Sequence, residues 1–192
     1  MLDVDQAGEL KAGFRRHGWT NALIKKLSEG DNLAKVRDVL LGRAEIKMIE
    51  HTIDCDAPVF LPNGWGELPD TEQLPNRVRG LVKFDPTKAK LHLVSEQKDS
   101  KCIGGNDLRK QLANQPVYTA HILDYVLKPE NQHLIPEEYK GKEVFFWGTI
   151  YRGPDGNLYV RYLFWSGVGW NWRSRWLGYG WDVSDPAAVS AS

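Results

Sequence analysis

The fold is decided by the stretch Glu143-Val-Phe-Phe-Trp-Gly-Thr-Ile-Tyr-Arg152, Gly153-Pro-Asp-Gly-Asn157 and Leu158-Tyr-Val-Arg-Tyr-Leu-Phe-Trp165. The first and third segments are rich in aromatic and β-branched residues, which favour strands. The segment between them consists of Gly, Pro, Asp and Asn, the residues that favour tight turns. The stretch therefore predicts an antiparallel hairpin that pairs residues 143–152 with residues 158–165.

The chain before this hairpin predicts a mixture of helices and strands. Residues 5–45 have the apolar spacing of three short helices, and Thr20 and Asp31 stand where N-caps are expected. We expect the apolar residues of these helices, among them Leu10, Phe14 and Leu33, to face inward. Further elements are predicted by periodicity and by turn residues: an extended segment 46–62 with Ile46, Met48 and Ile53, a loop 63–77, strands 78–84 and 90–94 around an Asp85-Pro86 turn, helices 107–113 and 119–127, and a turn at 136–139.

Composition excludes several classes of protein. The chain has 192 residues, with 25 Lys and Arg against 25 Asp and Glu, so its formal net charge is zero. A protein that mainly binds a nucleic-acid backbone needs a basic surface, so nucleic acid is an unexpected partner. No apolar run approaches the length of about 18 residues that a membrane span needs. The acidic start, Met1 to Asp5, has no signal-peptide pattern, and we expect a cytoplasmic protein.

Candidate chemical groups are sparse. His51, Asp54, Cys55 and Asp56 form the densest cluster. A strand would place His51 and Cys55 on one face, but zinc needs three or four convergent ligands and no second cluster is visible. The spacing of the only two cysteines, Cys55 and Cys102, matches no zinc or disulfide framework. We therefore expect no metal, no cofactor and no enzymatic activity.

The C-terminal quarter has an unusual composition. Six of the 8 Trp residues lie between Trp147 and Trp181, and the segment from Val144 to Ser192 contains no Lys, Glu, Gln, Met or His. After Gly169 the tryptophans follow neither a strict helical nor a strict strand period, which favours an ordered loop network with Trp side chains packed into a core. We expect Trp176 to be one of these core residues.

The segment Trp170-Asn-Trp-Arg-Ser-Arg-Trp-Leu-Gly-Tyr-Gly-Trp-Asp-Val-Ser-Asp-Pro186 interleaves two sets of residues. Trp, Leu, Pro and Ala can be encoded without adenine, whereas Asn, Arg, Ser, Gly, Tyr, Asp and Val arise when the adenines of AAC or AAT codons are randomised. Lys, Glu, Gln and Met do not arise in this way, and the segment lacks all four. The segment resembles the variable region of target proteins of diversity-generating retroelements.

The resemblance implies an α+β protein with a C-type-lectin-like domain. Its parts would be an N-terminal helical segment, residues 1–46, and a lectin-like domain, residues 47–192, with an antiparallel hairpin core and a variable region at about 168–186. The framework would be Trp170, Trp172, Trp176, Leu177, Trp181 and Pro186. The variable, ligand-binding positions would be Asn171, Arg173, Ser174, Arg175, Gly178, Tyr179, Gly180, Asp182, Val183, Ser184 and Asp185. The partner would be a protein or a glycan whose identity the sequence does not give.

Two alternatives from other classes stay open. One is a fixed carbohydrate- or nucleic-acid-binding module in which Trp170 and Trp172, two residues apart, form a stacking platform. The other is a small hydrolase that uses Cys55 or Cys102 as nucleophile with His51 as base.

Overall fold

The structure is a computed structural model that describes residues 3–47, 49–99 and 101–191. The chain forms two compact units, Met1–Ile49 and Glu50–Ser192. Both helices and strands are present, so the protein is of the α+β class. Met48, which the sequence places in an extended segment, lies outside the described residues.

The N-terminal unit consists of three helices, as predicted: α1 (Val4–Arg16), α2 (Asn21–Ser28) and α3 (Asn32–Leu40). Helix α1 begins with a capping box between Asp3 and Gln6, and Thr20 Oγ1 accepts a hydrogen bond of 3.3 Å from Leu23 N at the start of α2. Asp31 precedes α3 without making a side-chain cap.

The expectation that the apolar residues of these helices face inward is wrong. None of the described residues in α1, α2 or α3 is buried, and Leu10, Leu33 and Leu40 are 48%, 56% and 81% exposed. Helices of 13, 8 and 9 residues bring too little apolar surface together within one unit to enclose a core.

The second unit contains ten strands and two α-helices within the described residues. In chain order they are β1 (His51–Asp54), β2 (Gly66–Glu67), β3 (Leu81–Phe84), β4 (Ala89–His92), β5 (Ile103–Gly104), α4 (Gly105–Gln111), α5 (Ala120–Leu127), β6 (Val144–Arg152), β7 (Leu158–Trp165), β8 (Trp170–Trp176), β9 (Gly180–Trp181) and β10 (Ala187–Ser190). Single turns of 3-10 helix, including the predicted one at Glu137–Tyr139, connect several of them.

The predicted hairpin of β6 and β7 lies in the middle of a sheet with the order β4-β10-β6-β7-β8, and β2 pairs with the far end of β6. The last strand, β10, runs parallel to β6 and antiparallel to β4. The last strand of the chain, β10, therefore lies between β4 and β6, which both precede it in the sequence. Strand β8 lies at one edge of the sheet.

Both faces of this sheet are covered. On one face, Ile122, Leu123 and Val126 of α5 pack in a core that also contains Phe146 and Leu163. On the other face, the core combines Leu108 of α4 and Leu112 with Phe145, Trp147 and Trp181. Successive residues of a strand point to opposite faces, so the continuous apolar run of β6 supplies both cores.

Two predictions about strands are wrong. The segments around Asp85-Pro86 do not pair with each other, because β3 pairs with β1 and β4 pairs with β10. The segment after Gly169 is not a loop network but strand β8, paired with β7 from Trp170↔Trp165 to Trp176↔Tyr159. Trp170, Trp172 and Trp176 all stand at even positions, so they share one face of this strand.

Among the described residues, no helix combines the length and the apolar character that crossing a membrane requires.

Adjacent glycines at the start of α4 provide a test of the packing. A Cβ on Gly105 would lie 2.5 Å from both Leu177 O and Trp181 Nε1, whereas a Cβ on Gly104 would meet nothing within 4 Å. We expect Gly105→Ala to lower the free energy of unfolding by about 1–3 kcal/mol through overpacking. Gly104→Ala is the matched control and should change it by less than about 0.5 kcal/mol. Urea denaturation of both variants measures the difference, and equal stabilities would contradict this packing.

Candidate functional site

Strand β8 separates two groups of side chains by alternation. Asn171, Arg173 and Arg175 lie on the face that carries Tyr162 and Phe164 of β7, because the register pairs Asn171 with Phe164 and Arg173 with Tyr162. The Arg173 guanidinium lies 4.9 Å from the centre of the Phe164 ring. Trp172 lies on the opposite face, beside Leu163. The predicted variable residues at odd-numbered positions of β8 therefore share one face of the strand.

The segment after β8 is fixed by two buried apolar side chains. Leu177 is 2% exposed and Trp181 is fully buried. The Trp181 ring packs against Phe145 and Trp147, with centroid distances of 4.4 Å and 4.8 Å. Large buried aromatic rings of this kind dominate local packing energy. Between these two positions the chain passes through the exposed residues 178–180.

Ion pairs of Arg175 hold the segment after β8 in place. Arg175 Nη1 donates to Asp185 Oδ2, and Arg175 Nη2 donates to Glu143 Oε2 at 2.9 Å. The guanidinium lies 5.4 Å from the centre of the Trp181 ring and 5.5 Å from that of Phe145. Ion pairs that are partly shielded from water contribute more to stability than exposed ion pairs, because solvent and salt screen their attraction less. Arg175 thus connects β8 with the residues that lead into β6 and β10.

Asp185 is the buried centre of the following turn, with 1% of its surface exposed. Its Oδ2 accepts a hydrogen bond of 3.1 Å from Asp182 N, and Gln97 Nε2 donates to the carbonyl oxygens of Asp182 and Asp185, each at 3.0 Å. Burial raises the pKa of Asp185, more than the neighbouring Arg175 lowers it. By contrast, hydrogen bonds from Ser184 lower the pKa of Asp182.

Five predicted variable residues border one open concavity. Its lining consists of Tyr162, Ser174, Arg175, Tyr179, Gly180 and Asp182. Its charged groups are the Arg175 guanidinium and the Asp182 carboxylate, while the Tyr179 ring is 59% exposed. The concavity thus offers donors, acceptors and an aromatic surface to a ligand without containing a catalytic constellation.

The other predicted positions are distributed around this concavity or excluded from it. Arg173, Val183 and Ser184 are exposed, and Asn171 Nδ2 donates to Ser166 Oγ and Gly169 O at 3.1 Å. Asp185 was expected among the displayed residues, but burial removes it from the surface.

Two of the predicted variable positions are sterically restricted glycines. A Cβ on Gly178 would lie 2.3 Å from the Trp176 ring, and a Cβ on Gly180 would lie 2.3 Å from Cys102 Sγ. Any larger residue at these positions requires a neighbouring side chain to shift.

The predicted framework tryptophans differ in burial. Trp170 is 9% exposed and packs on Trp165 at 5.3 Å. Trp176 is 37% exposed and contacts Tyr179, so its assignment to the core is wrong. Trp170 and Trp172 do not form one exposed platform, because only Trp172 reaches the surface.

The Cys55–His51 pair lacks the properties of an activated nucleophile. Cys55 is 2% exposed, and burial raises the pKa of its thiol, which disfavours the reactive thiolate. His51 Nδ1 lies 3.0 Å from Tyr125 Oη, in a hydrogen bond that already occupies this ring nitrogen. Within the described residues, no three His, Cys, Asp or Glu side chains are grouped as metal ligands.

Three residues of this site were missed at the level of sequence. Glu143 pairs with Arg175, Tyr162 lines the concavity, and Gln97 fixes the turn from a distant 3-10 helix. Tyr162 could have been identified from the sequence as a site residue, since it lies in a predicted strand next to the variable segment. Gln97 and Glu143 had none, because their partners are 85 and 32 residues away along the chain.

Comparison of the chain with protein-family models, with curated proteins and with solved structures finds no match in any of the three.

The role of Asp185 can be measured directly. We expect Asp185→Ala to lower the free energy of unfolding by about 1–3 kcal/mol, because it removes the oxygen that accepts from both Arg175 Nη1 and Asp182 N, while Glu143 still pairs with Arg175. Glu137→Ala is the matched control: it breaks an exposed pair with Lys140 and should cost less than about 0.5 kcal/mol. If chemical denaturation finds the two variants equally stable, the buried network does not hold the turn.

Proposed function

We propose that this protein binds a ligand through the variable segment 168–186, which a retroelement diversifies and which a C-type-lectin-like scaffold displays. The observation that carries the proposal is the contrast in burial within a few residues of chain. Leu177, Trp181 and Asp185 are 2%, 0% and 1% exposed. Tyr179 and Val183, between them, are 59% and 56% exposed. Such a segment can change its exposed residues without losing the contacts that hold it in place.

The attachment of the segment supports a scaffold role for the rest of the unit. At its start, β8 pairs along its whole length with β7. At its end, Phe145 N donates to Pro186 O at 2.9 Å, and β10 then enters the sheet between β4 and β6. Because both ends are fixed in one sheet, ordering the loop between them costs little additional entropy on binding.

The chemistry of the exposed residues supports a protein or glycan as the partner. Tyr179, Asn171 and Ser184 are of the types that antibody paratopes use for adaptable contacts, and Arg173 is of the type enriched at interface hot spots. The surface carries hydrogen-bond donors, hydrogen-bond acceptors and side chains of both charges. It therefore suits partners with polar surfaces better than a purely apolar ligand.

A pair of display libraries tests the proposal. One library randomises five exposed positions, Asn171, Arg173, Tyr179, Val183 and Ser184, and its matched control randomises five buried positions, Trp170, Leu177, Trp181, Asp185 and Pro186. Surface substitutions change stability by about 0.5 kcal/mol or less each, so most members of the first library should fold and resist protease. Few members of the control library should do so.

Binding is the second readout of the same libraries. Selection of the exposed library against two unrelated proteins should enrich different sequences for each target, because a few central side chains dominate such interfaces. If both libraries lose folding to the same degree, or if no binder is enriched, the segment is not a diversifiable surface.

The gene provides a separate test of diversification. We expect a near-copy of the DNA that encodes residues 168–186, with adenines at the codons for positions such as Asn171 and Ser184, and a reverse-transcriptase gene close to it. Sequencing of the genomic region decides this point. The absence of both the copy and the reverse transcriptase would leave a binding surface that is not diversified by this route.

A further inference from the structure

A second candidate site lies on the other face of β8, and none of its residues belongs to the predicted variable set. Phe60, Asp124, Leu127, Lys128, Arg161 and Trp172 border an open cleft, here called the arginine cleft. By the alternation of their strands, Trp172 and Arg161 lie on the face opposite to Arg175 and Tyr162.

The arginine in this cleft is held unusually tightly. Arg161 is 1% exposed, and its Nη1 and Nη2 donate to Asp124 Oδ2 and Oδ1 at 3.1 Å and 2.7 Å. Its guanidinium lies 4.1 Å from the centre of the Trp172 ring. Its Nε–H is buried without a hydrogen-bond partner among the described residues.

A buried pair of this kind is a poor means of stabilising a fold. The desolvation of both charges offsets most of their attraction, and well-packed apolar residues of similar volume are often as stable or more so. The pair does, however, fix the Asp124 carboxylate in one orientation, with its side chain still 31% exposed. Each carboxylate oxygen keeps an accepting lone pair that can point into the cleft.

The other groups of the cleft define the chemistry of a ligand. Phe60 is 51% exposed and meets Trp172 edge to face at 5.7 Å, so the two rings form an apolar wall. Lys128, the exposed residue that follows α5, also borders the cleft, and its Nζ lies 5.4 Å from the centre of the Tyr125 ring. Arg161 and Lys128 outweigh Asp124 in charge and disfavour a cationic ligand. The Arg161 guanidinium lies 4.1 Å from the centre of the Trp172 ring and 5.0 Å from that of Phe60, so the ring surface left free is too small for the successive bases of a single strand.

We propose that the arginine cleft binds a saccharide. The C–H face of a sugar ring packs on Phe60 and Trp172, its hydroxyl groups donate to Asp124, and Lys128 donates to a hydroxyl or carboxylate oxygen of the sugar. This site does not depend on the proposed function of the variable segment, since it uses only residues outside the variable set.

Titration of the full chain with defined oligosaccharides tests the proposal. The probes are maltohexaose, cellohexaose, chitohexaose and an oligogalacturonate, with oligo(dT) as the nucleic-acid probe. The readout is the NMR signal of the Trp172 indole N–H, assigned by its loss in Trp172→Phe. We expect at least one saccharide to shift this signal with millimolar or tighter affinity, and oligo(dT) to leave it unchanged. A response to the oligogalacturonate alone would assign an acidic sugar, in which Lys128 pairs with the carboxylate.

Variants separate the cleft from the rest of the protein. Trp172→Ala and Lys128→Ala should each weaken saccharide binding about tenfold or more, since they remove the apolar wall and the rim donor. Lys128 is exposed, so its variant keeps the fold even if Trp172→Ala does not. Trp176→Ala, on the same face of β8 but outside the cleft, is the matched control and should bind as the unchanged protein does.

Three results would overturn the proposal. They are no saccharide response at about 10 mM, well above millimolar affinity, a response to oligo(dT) instead, and binding that persists in both cleft variants. None of these results bears on the libraries of the variable segment.

Discussion

Strand β6 imposes the constraint on which the second unit depends. Its residues from Val144 to Tyr151 are all buried, so both of its faces and both of its edges must be covered by other parts of the chain. Strand β7 covers one edge and strands β10 and β2 cover the other, while α5 and the elements around α4 cover the two faces. A strand without a polar face is stable only in the centre of a layered structure. The positions of the C-terminal strand and of both helices follow from this requirement.

Polar groups inside the structure determine which loop conformation is adopted. Apolar packing at Leu177 and Trp181 fixes where the segment lies, but it is not directional. The contacts of Asp185 and Gln97 are directional, and leaving either buried group without partners would cost free energy. The turn at 182–185 is therefore specified by hydrogen bonds, including those that the exposed Asp182 carboxylate accepts from Ser184 N and Ser184 Oγ.

The local elements could be predicted from the sequence, whereas their partners could not. The hairpin of β6 and β7 is confirmed, because strand residues and turn residues alternate over a short stretch. The helices α1, α2, α3, α4 and α5 are confirmed, because apolar spacing and N-cap residues are also local signals. The pairing of β10 with β4 joins residues separated by about half of the chain, and no local pattern records such a contact. Strand β8 was predictable from the two-residue spacing of Trp170 and Trp172, but the glycines around it obscured the period.

The candidate surface was predictable only in part. The clustering of Ser174, Arg175 and Tyr179 at one concavity follows from their closeness in sequence and from the turn between them. The burial of Asp185 could not be foreseen, because a carboxylate is buried only where distant partners such as Gln97 and Arg175 converge on it. The assignment of these residues to a variable set remains a prediction.

The pairing of β8 with β7 also restricts how the gene can change over this segment. A strand has a repeat of two residues, so inserting or deleting one residue within 170–176 would exchange the faces of every side chain beyond that point. Arg175 would turn away from Asp185, and the tryptophan face would turn toward Tyr162. Codon replacement leaves the register intact, whereas a change of length by one codon does not. Any heritable variation tolerated in β8 is therefore variation in residue identity at constant length.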